Sequence, residues 1–276
     1  MKTLMDVQGL RDRMTSGQQT VLLDVRWALG KTDGHEQYRS AHVPGAVYVD
    51  LEAHLSSPPS TAEGRHPLPR SADLEEAARQ WGINDGDTVV VYDDTGNLAA
   101  ARLWWLLRDG GLSSVYLLDG GLTAWQAAGY ETERGEERHC LGDVTLQSGQ
   151  MPVISADDVA DFVQRGVLLD ARAGERFRGE VEPIDPKAGH IPGARSAPTT
   201  ENLTPAQTFL PSGELRRRFE ALGITDTADV AVYCGSGITA AHEIAALEIA
   251  GISAALYPGS WSQWSQRADL PVATGP

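Results

Sequence analysis

Cysteine and positive charge are both scarce in this chain, and each shortage excludes something. Cys140 and Cys234 are the only two cysteines in 276 residues. Cys140 lies in a polar stretch, so no disulfide framework is available and a reducing, cytoplasmic setting is expected. Lysine and arginine number 23 against 38 acidic residues, a net charge of −15. Such a balance disfavours a general phosphate-backbone or anionic-membrane surface, so no nucleic acid partner is expected. Long apolar runs are missing as well. The most apolar helical candidate, Leu103–Leu107, falls far short of the roughly 20 residues that cross a bilayer. The stretch from Met1 to Leu10 has no basic start followed by an apolar core, so neither a secretory leader nor a membrane partner is expected. What is present, 41% apolar and 22% charged residues, suffices for two globular domains with separate cores.

An internal repeat organises the chain. Asp24-Val25-Arg26 returns as Asp170-Ala171-Arg172, Ala41–Ala46 as Gly189–Ala194, Tyr92-Asp93 as Tyr233-Cys234, and Asp119–Trp125 as Pro258–Trp264, at offsets of 146, 148, 141 and 139. Four ordered motifs at a nearly constant offset imply one duplicated domain. The expected boundaries are 1–130 for the first copy, a charged and Gly/Ser-containing linker over 131–150, and 151–276 for the second.

Each copy alternates short apolar strands with amphipathic helices. In the second, Ser155 with Asp158 predicts a helix N-terminus running to about Gln164, followed by strand Val167–Ala171. Helix Glu214–Leu222, strand Val230–Tyr233, helix Thr239–Ala250 and strand Ala254–Tyr257 follow, with Gly223 and Gly251 as stops. The first copy reads as strand Val21–Val25, helix Asp73–Trp81, strand Thr88–Tyr92, helix Leu98–Arg108, strand Val115–Leu118 and helix Leu122–Ala127. The predicted class is α/β, with two tandem domains, each a parallel sheet covered by helices on both faces.

Cys234 sits where strand Val230–Tyr233 would give way to Gly-Ser-Gly-Ile-Thr and then to a helix. Gly235 and Gly237 allow a tight backbone curl, so that loop N–H groups and the helix start at Ile238 and Thr239 can face the sulfur. An ordinary thiol is only about 3% thiolate at pH 7, and donors that lower its pKa by about two units make it about three-quarters thiolate. The duplication separates structural from chemical residues without any alignment. His190 is matched by His42, Arg172 by Arg26 and Trp264 by Trp125, which points to roles in the fold. Cys234 is matched by Asp93 and Arg176 by Gly30, so only the second copy carries a nucleophile and this arginine.

Four segments, Arg176–Gly179, Gly189–Ala194, Cys234–Ala240 and Pro258–Trp264, together resemble the tandem-domain rhodanese family, and the Cys loop resembles its mercaptopyruvate sulfurtransferases more than its thiosulfate sulfurtransferases. The resemblance spans nearly the whole chain and implies two rhodanese-like domains. It also implies a sulfurtransferase in which Cys234 takes sulfane sulfur from a small anionic donor as a persulfide, then hands it to a thiol, a cyanide-like nucleophile or a thioredoxin-like protein. No metal or organic cofactor is expected. Under it Arg176 holds the donor's anion, Ser236 donates or relays a proton, and Gly235, Gly237, Ile238 and Thr239 present N–H groups. Glu52 and His66 resemble an acid and a histidine that act near the serine, although that acid is usually aspartate. One departure concerns the donor. The family's mercaptopyruvate enzymes carry a second arginine where Asp185 stands, with Lys187 the nearest substitute, while its thiosulfate enzymes carry basic residues in the Cys loop and this loop has none. Mercaptopyruvate is therefore expected ahead, with thiosulfate kept open; a thiosulfate preference would call on Lys187, Arg178 or Arg65 for charge. The related Cys-x5-Arg phosphatase and arsenate reductase pattern is excluded by Ala240 in the arginine's place, and a non-catalytic sulfur-carrier module stays as the alternative of another class.

Overall fold

The computed structural model describes residues 2–276. They fall into two units: one takes the chain up to Ser57 with Pro69–Met151 and Thr204–Phe209, the other Pro58–Leu68, Pro152–Leu203 and Leu210–Pro276. Pro58–Leu68, which the repeat alone would leave with the first copy, thus groups with the second. The local reason is contact with Gly259 and Ser262, made by a turn that the segment closes on itself. Ser60 and Gly64 bridge to each other in antiparallel fashion, Arg65 N donates to Ser262 Oγ at 3.1 Å, and Gly64, at φ +94°, lies so near Ser262 Oγ and Gly259 O that a Cβ would be 2.6–2.7 Å from them.

In the first unit, strands β1 (Leu4–Met5), β2 (Thr20–Asp24), β3 (Val47–Tyr48), β4 (Thr88–Tyr92) and β5 (Val115–Leu118) form an all-parallel sheet in the order β1-β5-β4-β2-β3. In the second, β6 (Val167–Asp170), β7 (Arg195–Ser196), β8 (Val230–Tyr233) and β9 (Ala255–Leu256) follow the order β7-β6-β8-β9, again all parallel. The central strands β6 and β8 are buried at every residue, as continuous apolar strands covered on both faces must be. One core of the second unit joins Val159 and Phe162 to Tyr233, Tyr257, Trp261 and Trp264, each large side chain contributing about 1.5–3 kcal/mol on burial. Two-residue strands such as β1, β3 and β7 carry too little periodicity to be read beforehand.

Ser155 caps helix Ala156–Arg165 in a reciprocal capping box with Asp158, as its spacing implies. The repeated Asp-Arg pairs are buried ion pairs, Arg26 Nη2 to Asp24 at 2.7 Å and Arg172 Nη2 to Asp170 at 2.6 Å. His42 and His190 direct Nδ1 at Tyr38 O and Phe177 O. The stretch from Glu131 to Gln150 forms no helix, yet it is not a free tether: Val144 and Leu146 are buried, and Val144 N, Leu146 N and Gly149 N donate to Ile83 O, Glu75 and Asp109. No helix among the described residues is long and apolar enough to cross a membrane.

Candidate active site

Strand β8 delivers Cys234 to the carboxyl edge of its sheet, the place where open parallel sheets present functional groups. The thiol is 2% exposed. Gly237 N donates to Sγ at 3.1 Å. That contact depends on glycine: Gly237 has φ +82°, and a Cβ would stand 2.5 Å from Pro258 O. Helix Thr239–Ile249 begins at once, with Ile238 as its cap and Ala241 N the first to bond back to it, at 3.1 Å. The first-turn N–H groups therefore open toward the loop.

The backbone on either side of the thiol is clamped by the segment after β9. Trp261 N donates to Cys234 O at 3.0 Å, and Ser262 N to Gly235 O at 2.8 Å. Ser260 Oγ accepts from Cys234 N at 3.1 Å and donates to Tyr257 O at 2.9 Å. Ser260 is fully buried at φ +51°, an uncommon conformation for a residue with a side chain.

Ser236 and His66 meet here. Ser236 Oγ and His66 Nδ1 share a 2.8 Å hydrogen bond, and both residues are buried. Arg176, from the short helix Gly174–Phe177, points a guanidinium at Gly235; a Cβ on that glycine would lie 3.5 Å from Arg176 Nη1 and 3.2 Å from Arg65 Nη2. Arg176 Nη2 is bonded to Glu182 at 2.7 Å and lies 3.4 Å from Asp185, which also pairs with Arg65. Glu182 is shared with Arg172 at 3.3 Å, so the polar chain runs from the Asp170–Arg172 pair to the nucleophile loop. Burial is the largest influence on Asp185 and raises its carboxyl above the ordinary range, with the Arg65 charge opposing it.

Thus Cys234, Gly235, Ser236, Gly237, Ile238, Thr239, His66 and Arg176 belong to one unit. Lys187 is in that unit too, but its Nζ donates to Arg267 O at 2.7 Å. Glu52 belongs to the other unit, on helix Leu51–His54, where its carboxylate accepts from Trp27 Nε1 at 2.9 Å. The sequence offers Arg65 only as a further source of charge, with the acidic residue at 185 the one readable clue to it, and Glu182 and Ser260 carry no sequence signal.

The loop's behaviour toward an anion can be seen in the first unit, where Asp93 stands in place of the cysteine. One carboxylate oxygen accepts from Thr95 N and Asn97 N at 2.8 and 2.7 Å, the other from Ala99 N and Ala100 N at 2.9 and 3.1 Å. Burial raises the Asp93 carboxyl above its ordinary value and these four N–H groups oppose that shift, so the turn favours negative charge; at the matching position in the second unit the Gly237 N–H reaches the sulfur.

A buried thiol on a donor-lined loop of a doubled α/β scaffold is an arrangement that suits a cysteine-dependent group transferase. The chain belongs to the rhodanese family: the rhodanese-like domain matches residues 6–128 and 155–267. A Pseudomonas aeruginosa protein provisionally named a 3-mercaptopyruvate sulfurtransferase is 47% identical, over 99% of this chain and 98% of its own length. SseB of Mycobacterium tuberculosis, provisionally named a thiosulfate sulfurtransferase, is 44% identical over the same shares. The solved structure of the Escherichia coli 3-mercaptopyruvate enzyme SseA superposes with a TM-score of 0.83 at 30% identity, covering 95% of this chain and 100% of that one. The protein is a sulfurtransferase of the rhodanese type.

Proposed function

We propose that 3-mercaptopyruvate is the principal sulfur donor and that Cys234 carries the sulfur. The Cys234 thiolate pair forms a bond to the donor's thiol sulfur, and the carbon–sulfur pair passes to carbon as the enolate of pyruvate. That enolate needs a proton. Ser236 supplies it and is recharged from His66 Nδ1, leaving pyruvate and a Cys234 persulfide. An acceptor thiolate then attacks the outer sulfur and takes it with its proton, and the sulfur–sulfur pair returns to Cys234. The N–H of Gly237 and the first turn through Ile238 and Thr239 stabilise negative sulfur in both half-reactions, while Arg176 holds the donor's carboxylate.

The supporting observation is the buried 2.8 Å hydrogen bond between Ser236 and His66. Thiosulfate cleavage expels sulfite and needs no proton at carbon, so a relay beside the thiol serves the keto acid. Within the same proposal the family resemblance gives Glu52 a catalytic role, and Glu52→Gln should lower turnover with mercaptopyruvate selectively. Thiosulfate is the second reading, favoured by one observation: the Arg65 guanidinium near Gly235 supplies positive charge that the loop itself lacks. Acceptors are proposed to be small thiols, cyanide-like nucleophiles or a thioredoxin-like protein in the cytoplasm, where the exposed free thiol of Cys140 stays reduced. Parallel kcat/KM measurements with both donors and one acceptor test the ranking. A preference for thiosulfate reverses it.

A further inference from the structure

Two arginines flank the residue after the nucleophile, and they come from segments far apart in the chain. Arg176 lies on helix Gly174–Phe177, and Arg65 on the Pro58–Leu68 segment of the same unit. Their nearest nitrogens, Arg176 Nη1 and Arg65 Nη2, approach within 3.5 and 3.2 Å of the Cβ position of Gly235. Neither of these nitrogens is hydrogen-bonded among the described residues, whereas the other terminal nitrogen of each guanidinium is engaged: Arg65 Nη1 with Asp185, and Arg176 Nη2 with Glu182 and Asp185. Asp185 and Glu182 are 3% and 4% exposed, and the arginines 26% and 17%.

We propose that Arg65 is a donor-binding residue, paired with Arg176 to grip the anionic head of the sulfur donor, with Asp185 as the shared counter-ion that positions both. Removing one partner of a buried pair is costly, while the intact pair adds little net stability; its use is to fix two forks in one orientation. Two planar forks with free N–H groups on the same side suit the two oxygens of an α-keto carboxylate, and neither can be replaced by a point charge such as lysine without loss of that geometry. The acid at 185 and the base at 65 are one device: the carboxylate that holds Arg65 also holds Arg176. Gly235 completes it, since a side chain there would press on Arg65.

The inference rests on the sulfurtransferase reading, and its test has a readout besides turnover. Arg65→Gln and the paired Arg65→Ala/Asp185→Asn protein, which leaves no lone buried carboxylate, are compared with wild type. The expected result is a loss in kcat/KM with mercaptopyruvate of about 10- to 150-fold, the worth of one charged hydrogen bond, carried mainly by KM. In parallel, Cys234 is alkylated with anionic iodoacetate and neutral iodoacetamide. The iodoacetate:iodoacetamide rate ratio should fall about 10-fold or more in both variants, whereas a merely structural change moves both rates together. Donor KM and alkylation ratio unchanged in both variants would overturn the proposal. Failure of the parent reading looks different: wild-type protein takes sulfur from neither donor while the alkylation ratio still falls in the variants.

Discussion

Ser236→Ala separates the two donors by mechanism. The side chain is 7% exposed and its hydroxyl meets His66 Nδ1 at 2.8 Å, so alanine fits the space and removes one buried hydrogen bond. Leaving His66 without that partner costs about 1–3 kcal/mol of stability, too little to unfold a domain of ordinary stability. The effect on chemistry is larger. General acid catalysis contributes about 10²- to 10⁴-fold, and with mercaptopyruvate kcat should fall within that range. With thiosulfate no proton is transferred to carbon, and the change should stay below about 10-fold, since the Gly237 N–H to sulfur is retained. The assay is stopped-flow persulfide formation with each donor, on protein whose thermal midpoint shows it folded. Equal losses with both donors, or none with either, would refute the relay.

Cys234→Ser should abolish persulfide formation while Cys140→Ser leaves it intact, because one sulfur is buried in the loop and the other exposed in a polar stretch; mass spectrometry after donor treatment decides. Gly237→Ala places a side chain at φ +82° beside Pro258 O and costs about 1–2 kcal/mol from backbone strain alone. Its iodoacetamide reactivity at Cys234 should fall, and an unchanged rate would remove Gly237 from the cradle. Glu243, on the helix that follows the loop, is raised by burial from 4.5 to about 7, with Arg218 opposing. The folded form holds a proton the unfolded chain has shed, so stability falls between about pH 4.5 and 7 by about 3 kcal/mol and levels off above. Urea unfolding of Glu243→Gln at pH 5 and pH 8 should show that this slope is gone.

The parts legible in the sequence were those written in local patterns. The runs Thr88–Tyr92 and Val230–Tyr233 have no charge to interrupt them, and the Ser155–Asp158 spacing specifies its own cap. The thiol's loop could be read because glycine, strand and helix are contiguous. Arg65 and Asp185 could not be read as partners, since they stand 120 residues apart and nothing local to either points to the other. The anchoring of the stretch from Glu131 to Gln150 was hidden for another reason. Its many charges conceal two buried anchors, Val144 and Leu146, and so few apolar residues leave no periodicity. Ser260 is a serine where the repeat has Gly121, at φ +51° and +54° respectively, and nothing in a serine's identity announces a left-handed backbone.

Asp93 gives the first unit a loop whose anion is part of the chain, and this has a consequence for motion. Four backbone N–H groups close on a carboxylate that never departs, so hydrogen exchange at Thr95, Asn97, Ala99 and Ala100 should be slow and the same at every point of the catalytic cycle. The loop after Cys234 has no such permanence. In the proposed cycle its guest is an outer sulfur gained and lost with each turnover, and the amides from Gly235 to Ala241 should exchange more slowly in the persulfide form than in the free thiol form. The duplicated domain therefore carries its own reference: one loop always loaded, and one whose rigidity records whether sulfur is aboard.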